Sequence, residues 1–198
     1  MKFNRIILGS QSPRRRELMA GLDRPFEAVS IDADESFDRQ LKGGDIPLYI
    51  SRAKAHAYTR ELEAGEMLIT SDTIVWIDEQ MLGKPKDDKD ACRMLRLLSG
   101  HTHQVYTAVT FTYIDQEGRL NEKSLVDKAD VTFRELSDEE INYYVQHYHP
   151  LDKAGAYGVQ EWIGYIGVEK IYGSYFTIMG FPIERVYQTI RDLEADEI

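Results

Sequence analysis

The stretch Ile6-Ile7-Leu8-Gly9-Ser10-Gln11-Ser12-Pro13-Arg14-Arg15 runs an apolar strand straight into a hydroxyl-rich, arginine-rich helix start. Ser12 is a preferred N-cap residue, and Pro13 suits the first helical position, where its missing N–H costs nothing. A helix beginning there turns its free backbone N–H groups and positive dipole end toward whatever sits above the strand. Arg14 and Arg15 add charge suited to phosphate oxygens, so a phosphate is the favoured ligand. The plainer reading is a simple helix cap with a solvated basic face.

Outward from this stretch the pattern stays mixed. Phe26 to Ile31 reads as a strand, followed by an acidic loop, Asp32-Ala33-Asp34-Glu35. A helix is expected from about Pro47 to Leu62, and extended chain from Met67 to Ile77. Asp87 can cap a helix whose Ala91, Met94, Leu95 and Leu98 share one face, with Gly100 suited to its end. His103 to Tyr113 and Ser124 to Phe133 flank Asp115-Gln116-Glu117-Gly118 and read as a long antiparallel hairpin. Ser137 and Glu140 form a capping box for a helix to about Gln146. A polar, glycine-rich loop covers Pro150 to Gly158, and extended segments are expected at Tyr165 to Ile171 and around Phe176 to Met179. A last helix opened by Pro182 carries an apolar stripe of Ile183, Val186, Tyr187 and Ile190. Hairpin-connected strands with helices between others predict an α/β fold with a mixed sheet and flanking helices.

At 198 residues the chain is long enough for one substantial core, and no repeat, low-complexity tract or linker divides it. Residues 1–198 are therefore expected to form a single compact unit. No apolar run approaches the roughly 20 residues of a membrane span. Met1-Lys2-Phe3-Asn4-Arg5 lacks the apolar core and cleavage site of a secretory signal, and a cytoplasmic address is expected. The net charge of −10 argues against extended nucleic-acid binding. A small anion needs only local positive charge, together with a divalent cation held by some of the surplus carboxylates. The single cysteine, Cys92, lies among apolar helix residues and reads as packing. His101 with His103, and His147 with His149, are spaced by two but lack the partners of a zinc site. No Walker loop, dinucleotide glycine pattern or serine-hydrolase elbow is present.

Several residues are candidates for chemistry. Asp72 stands in Ile69-Thr70-Ser71-Asp72-Thr73-Ile74-Val75, and a charge in so apolar a strand must be paired or functional. It is either one half of a buried salt bridge or a rigid carboxylate placed to hold a metal or orient water. Glu35 and its acidic neighbours make either a polar turn or a shared cation site. Lys54 falls on a predicted helix, and Lys84 precedes Pro85, which biases it toward extended backbone; each is a surface lysine or a counter-charge for phosphates. Leu151-Asp152-Lys153-Ala154-Gly155-Ala156-Tyr157-Gly158-Val159-Gln160 is turn chemistry or a binding loop, in which Gln160 is able to donate to and accept from a base edge.

Taken in order, five segments resemble the Maf family of nucleoside triphosphate pyrophosphatases over nearly the whole chain: Ser10-x-Ser12-Pro13-Arg14-Arg15, Ser71-Asp72-Thr73-Ile74-Val75, Gly83-Lys84-Pro85, Leu98-Ser99-Gly100-x-Thr102-His103, and Asp152-Lys153-Ala154-Gly155-Ala156-Tyr157-Gly158-x-Gln160. The resemblance implies two lobes around a central cleft, a fold related to the inosine triphosphate pyrophosphatases, and a homodimer. It implies hydrolysis of a nucleoside triphosphate to monophosphate and pyrophosphate with magnesium or manganese. Asp72, Glu35, Lys54 and Lys84 then become the catalytic set, with Glu35 and Asp72 on the metal. Ser10, Ser12, Arg14, Arg15, Thr73 and Gln160 become substrate-binding. Arg14, Thr73 and Gln160 are similar to the branch acting on dTTP and UTP; a branch acting on 7-methyl-GTP tends to carry tryptophan for that arginine and glutamine for that threonine. A nucleotide-binding regulator of septum formation is the reading from another class. Arg16 is expected to be an extra surface charge, and Trp162 with Gly164 to Gly167 departs from the family's usual forms, which implies a reshaped wall near the base.

Overall fold

The computed structural model describes residues 3–115 and 117–195, so Met1, Lys2 and the turn residue Gln116 named above lie outside the described residues. The chain divides into two compact units, Met1–Asp72 with Thr107–Asp127 and Gly180–Ile198, and Thr73–Tyr106 with Lys128–Met179.

The first unit opens as expected. Strand β1 (Arg5–Gly9) passes into helix α1 (Pro13–Ala20), with Pro13 in its first turn. Strands β2 (Phe26–Val29) and β3 (Glu66–Ile77) pair with β1 on either side, both parallel to it. Helix α2 spans Asp45–His56 rather than the expected Pro47 to Leu62. Pro47 fits inside the first turn, where no N–H is required, so the helix starts earlier. It stops at His56 because Tyr58 and Leu62 leave the helix to pack on Ile7, Ala55 and Leu68. Helix α7 (Ile183–Ala195) buries Val186, Ile190 and Leu193 against Leu8, Met19, Met67, Phe111 and Phe181. Tyr187, assigned to its apolar stripe from sequence, is instead 41% exposed, because the buried face runs through Thr189 and Leu193.

In the second unit β4 (Gln80–Leu82) pairs antiparallel with the end of β3, and Asp87 caps α3 (Asp88–Leu98) by accepting the Asp90 N–H at 2.8 Å. Strands β5 (Thr102–Ile114) and β6 (Leu120–Phe133) are neighbours in the sheet. Hydroxyl pairs at Thr102–Thr132 and Thr110–Ser124 fix their antiparallel register, as expected for the hairpin. Helix α4 (Asp138–Tyr148) carries the predicted capping box in full, with the Ser137 side chain accepting from Glu140 N and the Glu140 side chain accepting from Ser137 N. Two 3-10 turns, Pro150–Asp152 and Ala154–Ala156, follow it. The segment expected to be extended from Tyr165 to Ile171 is divided: α5 (Trp162–Gly167) is helical and β7 (Val168–Tyr172) is a strand. The stretch around Phe176 is likewise a short helix, α6 (Tyr175–Ile178), and not a strand. Both helices are a turn or so long, too short for a helical period to outweigh β-branched and aromatic composition. The core of this unit joins Leu95 and Leu98 of α3, Tyr144 and Val145 of α4, and Val105, Val131, Phe133, Tyr157 and Ile163.

The described strands form a mixed, seven-stranded sheet of order β2-β1-β3-β5-β6-β7, with β4 beside β3. Among the described residues no helix is long and apolar enough to cross a membrane.

Candidate active site

In the first unit three expected residues converge. Lys54 on α2 places its ammonium 2.8 Å from Asp72 Oδ1 and 3.0 Å from Glu35 Oε1. The Lys54 and Asp72 side chains are largely buried, whereas Glu35 is half exposed. Periodicity explains how they meet. Thr70 and Asp72 lie two apart on β3 and share a face, and Ser51 and Lys54 lie three apart on α2 and share a face. The two faces are joined twice, since Thr70 Oγ1 donates to the Ser51 carbonyl at 2.7 Å while Lys54 donates to Asp72. The Ser51 hydroxyl also bonds Thr110 Oγ1 at 2.9 Å, and all three hydroxyl residues are fully buried. Ser51, Thr70 and Thr110 were missed in the sequence; the signal was there in the pairing of Ser51-x-x-Lys54 with Thr70-x-Asp72, but nothing in one sequence says that this helix meets this strand.

Burial raises the Asp72 carboxyl above the ordinary carboxylate range, against the pull of Lys54 and Arg15. Burial likewise lowers the Arg15 guanidinium, which the Asp72 charge offsets. Arg15 is less a loose phosphate ligand than sequence implied, because its Nε donates to the Gly180 carbonyl at 2.8 Å and its Nη1 to the Ser71 carbonyl at 2.9 Å. The guanidinium therefore holds the end of α1 against the carbonyl just before Asp72.

At the helix start Ser12 takes the N-cap position, but its side chain makes no capping bond. The Ser12 N–H instead donates to Ser10 Oγ at 3.2 Å, which leaves the Ser10 O–H as a donor. Arg14 is half-buried in the first turn of α1. Arg16 is not the idle surface charge expected: it donates to the Ser10 carbonyl at 3.3 Å and to the Gln11 side chain, and so fastens the loop between β1 and α1.

In the second unit Thr73 follows directly on Asp72 along β3. Lys84 is exposed in the turn after β4, and the Gly83 carbonyl before it accepts the Gly155 N–H at 3.0 Å. Gly155 has φ +67°, and a Cβ there would lie 2.8 Å from Val75 Cγ2, so only glycine lets the 154–156 turn pack on β3. Gln160 is half-buried in the turn before α5. Lys153, which the sequence reading did not single out, is buried with its ammonium 2.7 Å from Asp152 Oδ1 and 3.1 Å from Glu161 Oε1.

The remaining candidates play other parts. His103 is fully buried, shares a hydrogen bond with the Tyr157 hydroxyl at 2.8 Å, and is held by burial at a pKa of about 3. His101 and His147 bond the carbonyls of Ser99 and Tyr143. Cys92 packs against the core of the second unit, and burial raises its thiol pKa, which disfavours the reactive thiolate. Among the described residues no three His, Cys, Asp or Glu side chains are grouped to hold a metal ion. The pair Glu35 and Asp72, by contrast, already converges on one positive charge, and its all-oxygen donors suit a hard divalent cation completed by substrate oxygens.

A family model described as Maf-like protein matches residues 5–193. A protein of Bacteroides thetaiotaomicron named dTTP/UTP pyrophosphatase is 52% identical over 189 residues, covering 95% of each chain. One of Bacteroides fragilis with the same name is 50% identical over 96% of each. Among solved structures, the Staphylococcus aureus Ham1 protein aligns over 98% of this chain and 100% of its own at 14% identity, with a TM-score of 0.49.

Proposed function

Because the chain belongs to the Maf family, we propose that it hydrolyses dTTP and UTP to the nucleoside monophosphate and pyrophosphate. The observation that carries the chemistry is Asp72, a largely buried carboxylate of raised pKa fixed at one oxygen by Lys54. A raised carboxyl pKa makes a stronger base at neutral pH. Asp72 Oδ2, the oxygen that Lys54 does not engage, accepts a proton from water as the water oxygen bonds to the α-phosphorus. The bond from the α-phosphorus to the bridging oxygen breaks, and pyrophosphate leaves with that oxygen and its electron pair. Glu35 and Asp72 would hold a divalent cation, magnesium or manganese, which when bound would supply positive charge against the phosphates. Lys54 pulls the Asp72 carboxyl back toward its ionised form, and Arg14, Arg15 and the Ser10 hydroxyl offer donors to the negative charge that grows on the phosphates.

Lys84 adds a further cation for the phosphates, and Thr73 and Gln160 sort the bases, Gln160 through the polar edge of a pyrimidine. These assignments are supported by the order of the motifs and, inside the second unit, by the bond from Gly155 to Gly83 that ties the Lys84 turn to the segment leading to Gln160. A single cysteine, unable to form an internal disulfide, suits a reducing compartment, and we place the reaction in the cytoplasm.

The test is to incubate the protein and magnesium with a panel of nucleoside triphosphates and to measure pyrophosphate against inorganic phosphate. Pyrophosphate from dTTP and UTP above the other nucleotides is the expected result. Pyrophosphate chiefly from 7-methyl-GTP would keep the reaction and overturn the substrate, and binding without turnover would replace the enzyme by a regulator.

A further inference from the structure

The turn that carries Gln160 is held by a buried polar network with no part in the reaction above. Tyr144 of α4 is fully buried, and its hydroxyl accepts the Gly158 N–H at 3.1 Å while donating to the Glu161 carboxylate. Glu161 N donates to the Gly158 carbonyl at 3.0 Å, closing the four residues Gly158-Val159-Gln160-Glu161 into a turn. One hydroxyl thus grips the first and last residues of a turn whose third residue is Gln160. The other Glu161 oxygen lies 3.1 Å from the ammonium of Lys153, which Asp152 holds from its second side. Gly158 permits the arrangement, since a Cβ there would stand 2.8 Å from Glu161 Cδ. Glu161 then serves as the N-cap residue of α5, its carbonyl accepting from the Gly164 and Tyr165 N–H groups. The turn is therefore fastened to α4, to the 3-10 segment and to α5.

Setting a buried tyrosine hydroxyl and a buried lysine on a half-buried glutamate beneath one short turn is poor use of those groups for stability alone. Apolar side chains of the same volume fill such a space as well or better, because desolvating charges costs about as much as pairing them returns. What a fully satisfied polar network supplies is a single geometry. We propose that Tyr144, Glu161 and Lys153 are positioning residues that preset Gln160 for base selection. The inference rests on the reading of Gln160 as the base-sorting residue. Burial, and then the bond to Glu161, raise the Tyr144 pKa, so the phenol stays protonated and the clamp holds its form across the neutral range.

The experiment compares kcat/KM for dTTP, UTP and CTP, by pyrophosphate release, in the wild type, Tyr144→Phe, Gln160→Ala and the double variant, at a temperature where circular dichroism shows each to be folded. Tyr144→Phe removes only the hydroxyl. It is expected to lower discrimination between dTTP and CTP by about five- to tenfold, the scale of one or two lost hydrogen bonds. The change should lie in KM, with kcat for dTTP within about twofold of wild type. The double variant should discriminate no worse than Gln160→Ala alone, and Glu161→Gln, which still accepts from Tyr144, should keep more discrimination than Glu161→Ala. Loss of discrimination in Gln160→Ala but not in Tyr144→Phe would overturn the clamp. Unchanged discrimination in Gln160→Ala would instead overturn the base-sorting role on which the clamp depends.

Discussion

Asp72 is a residue whose neighbours determine what it is able to do. Alone in a strand of β-branched and apolar residues its charged form would be disfavoured by burial. Lys54 at 2.8 Å returns it toward the ionised state without cancelling the effect of burial, and Glu35 at the other side of the same ammonium keeps that ammonium shared. Asp72→Asn keeps the shape and removes the base. Turnover of dTTP should fall by about a hundred- to ten-thousandfold, the usual contribution of a positioned general base. Affinity for a non-hydrolysable α,β-imido analogue, measured by calorimetry without divalent cation, should change far less, because the arginines and Ser10 remain. A variant that keeps kcat within tenfold of wild type would remove Asp72 from the base role.

At the scale of the element, α5 shows how one glycine decides a conformation. A Cβ on Gly164 would stand 1.9 Å from the Val159 carbonyl oxygen, a backbone atom that has no side-chain freedom with which to retreat. Gly164→Ala should therefore displace the first turn of α5 at a cost of about 3 kcal/mol, the upper end of overpacking effects. For a chain of this size that is roughly 6–12 °C in Tm. Gly118→Ala is the control: that glycine has φ +76° but nothing within 4 Å, so only backbone strain of about 1 kcal/mol is added. Equal drops in melting temperature would show that the close approach carries no weight. The same helix marks the limit of what the sequence made legible. Long elements with caps were readable: β1 into α1, α3 from Asp87, α4 from its capping box, and the β5–β6 hairpin. The segments Trp162–Gly167 and Tyr175–Ile178 were not, since tertiary contacts fix them and a single turn shows no period. At the candidate site Asp72 stood out as a charge in an apolar strand. The hydroxyls of Ser51, Thr70 and Thr110, and the clamp at Tyr144, Glu161 and Lys153, did not, because each depends on residues distant in the chain meeting in space.

Stability against acid belongs to the whole molecule, because every group that binds protons differently in the folded and unfolded chain contributes to it. His103 is fully buried between Phe133 and Tyr157, edge to face with both rings, and burial holds it at a pKa of about 3 against the pull of Asp130. The unfolded imidazole titrates near 6.5. Between these values the unfolded chain carries a proton that the folded one refuses, so the stability that His103 contributes is complete above about pH 6.5. It is lost as pH falls toward about 3, at roughly 1.4 kcal/mol per pH unit. Paired carboxylates such as Asp115, pulled down to about 2 by the Arg119 backbone N–H and other bonds, lose stability with the same sign but at lower pH, so the His103 contribution stands apart between about pH 4.5 and 6.5. His103→Gln keeps a hydrogen-bonding partner for Tyr157 and does not titrate. Urea unfolding midpoints followed from pH 7.5 to 4.5 should fall steeply for the wild type. The variant should start lower, since the aromatic packing is disturbed, and fall less steeply by up to about one proton's worth of slope. Parallel curves for the two proteins would mean that His103 takes up its proton in the folded state, and that the aromatic core of the second unit admits a charge its packing is here held to exclude.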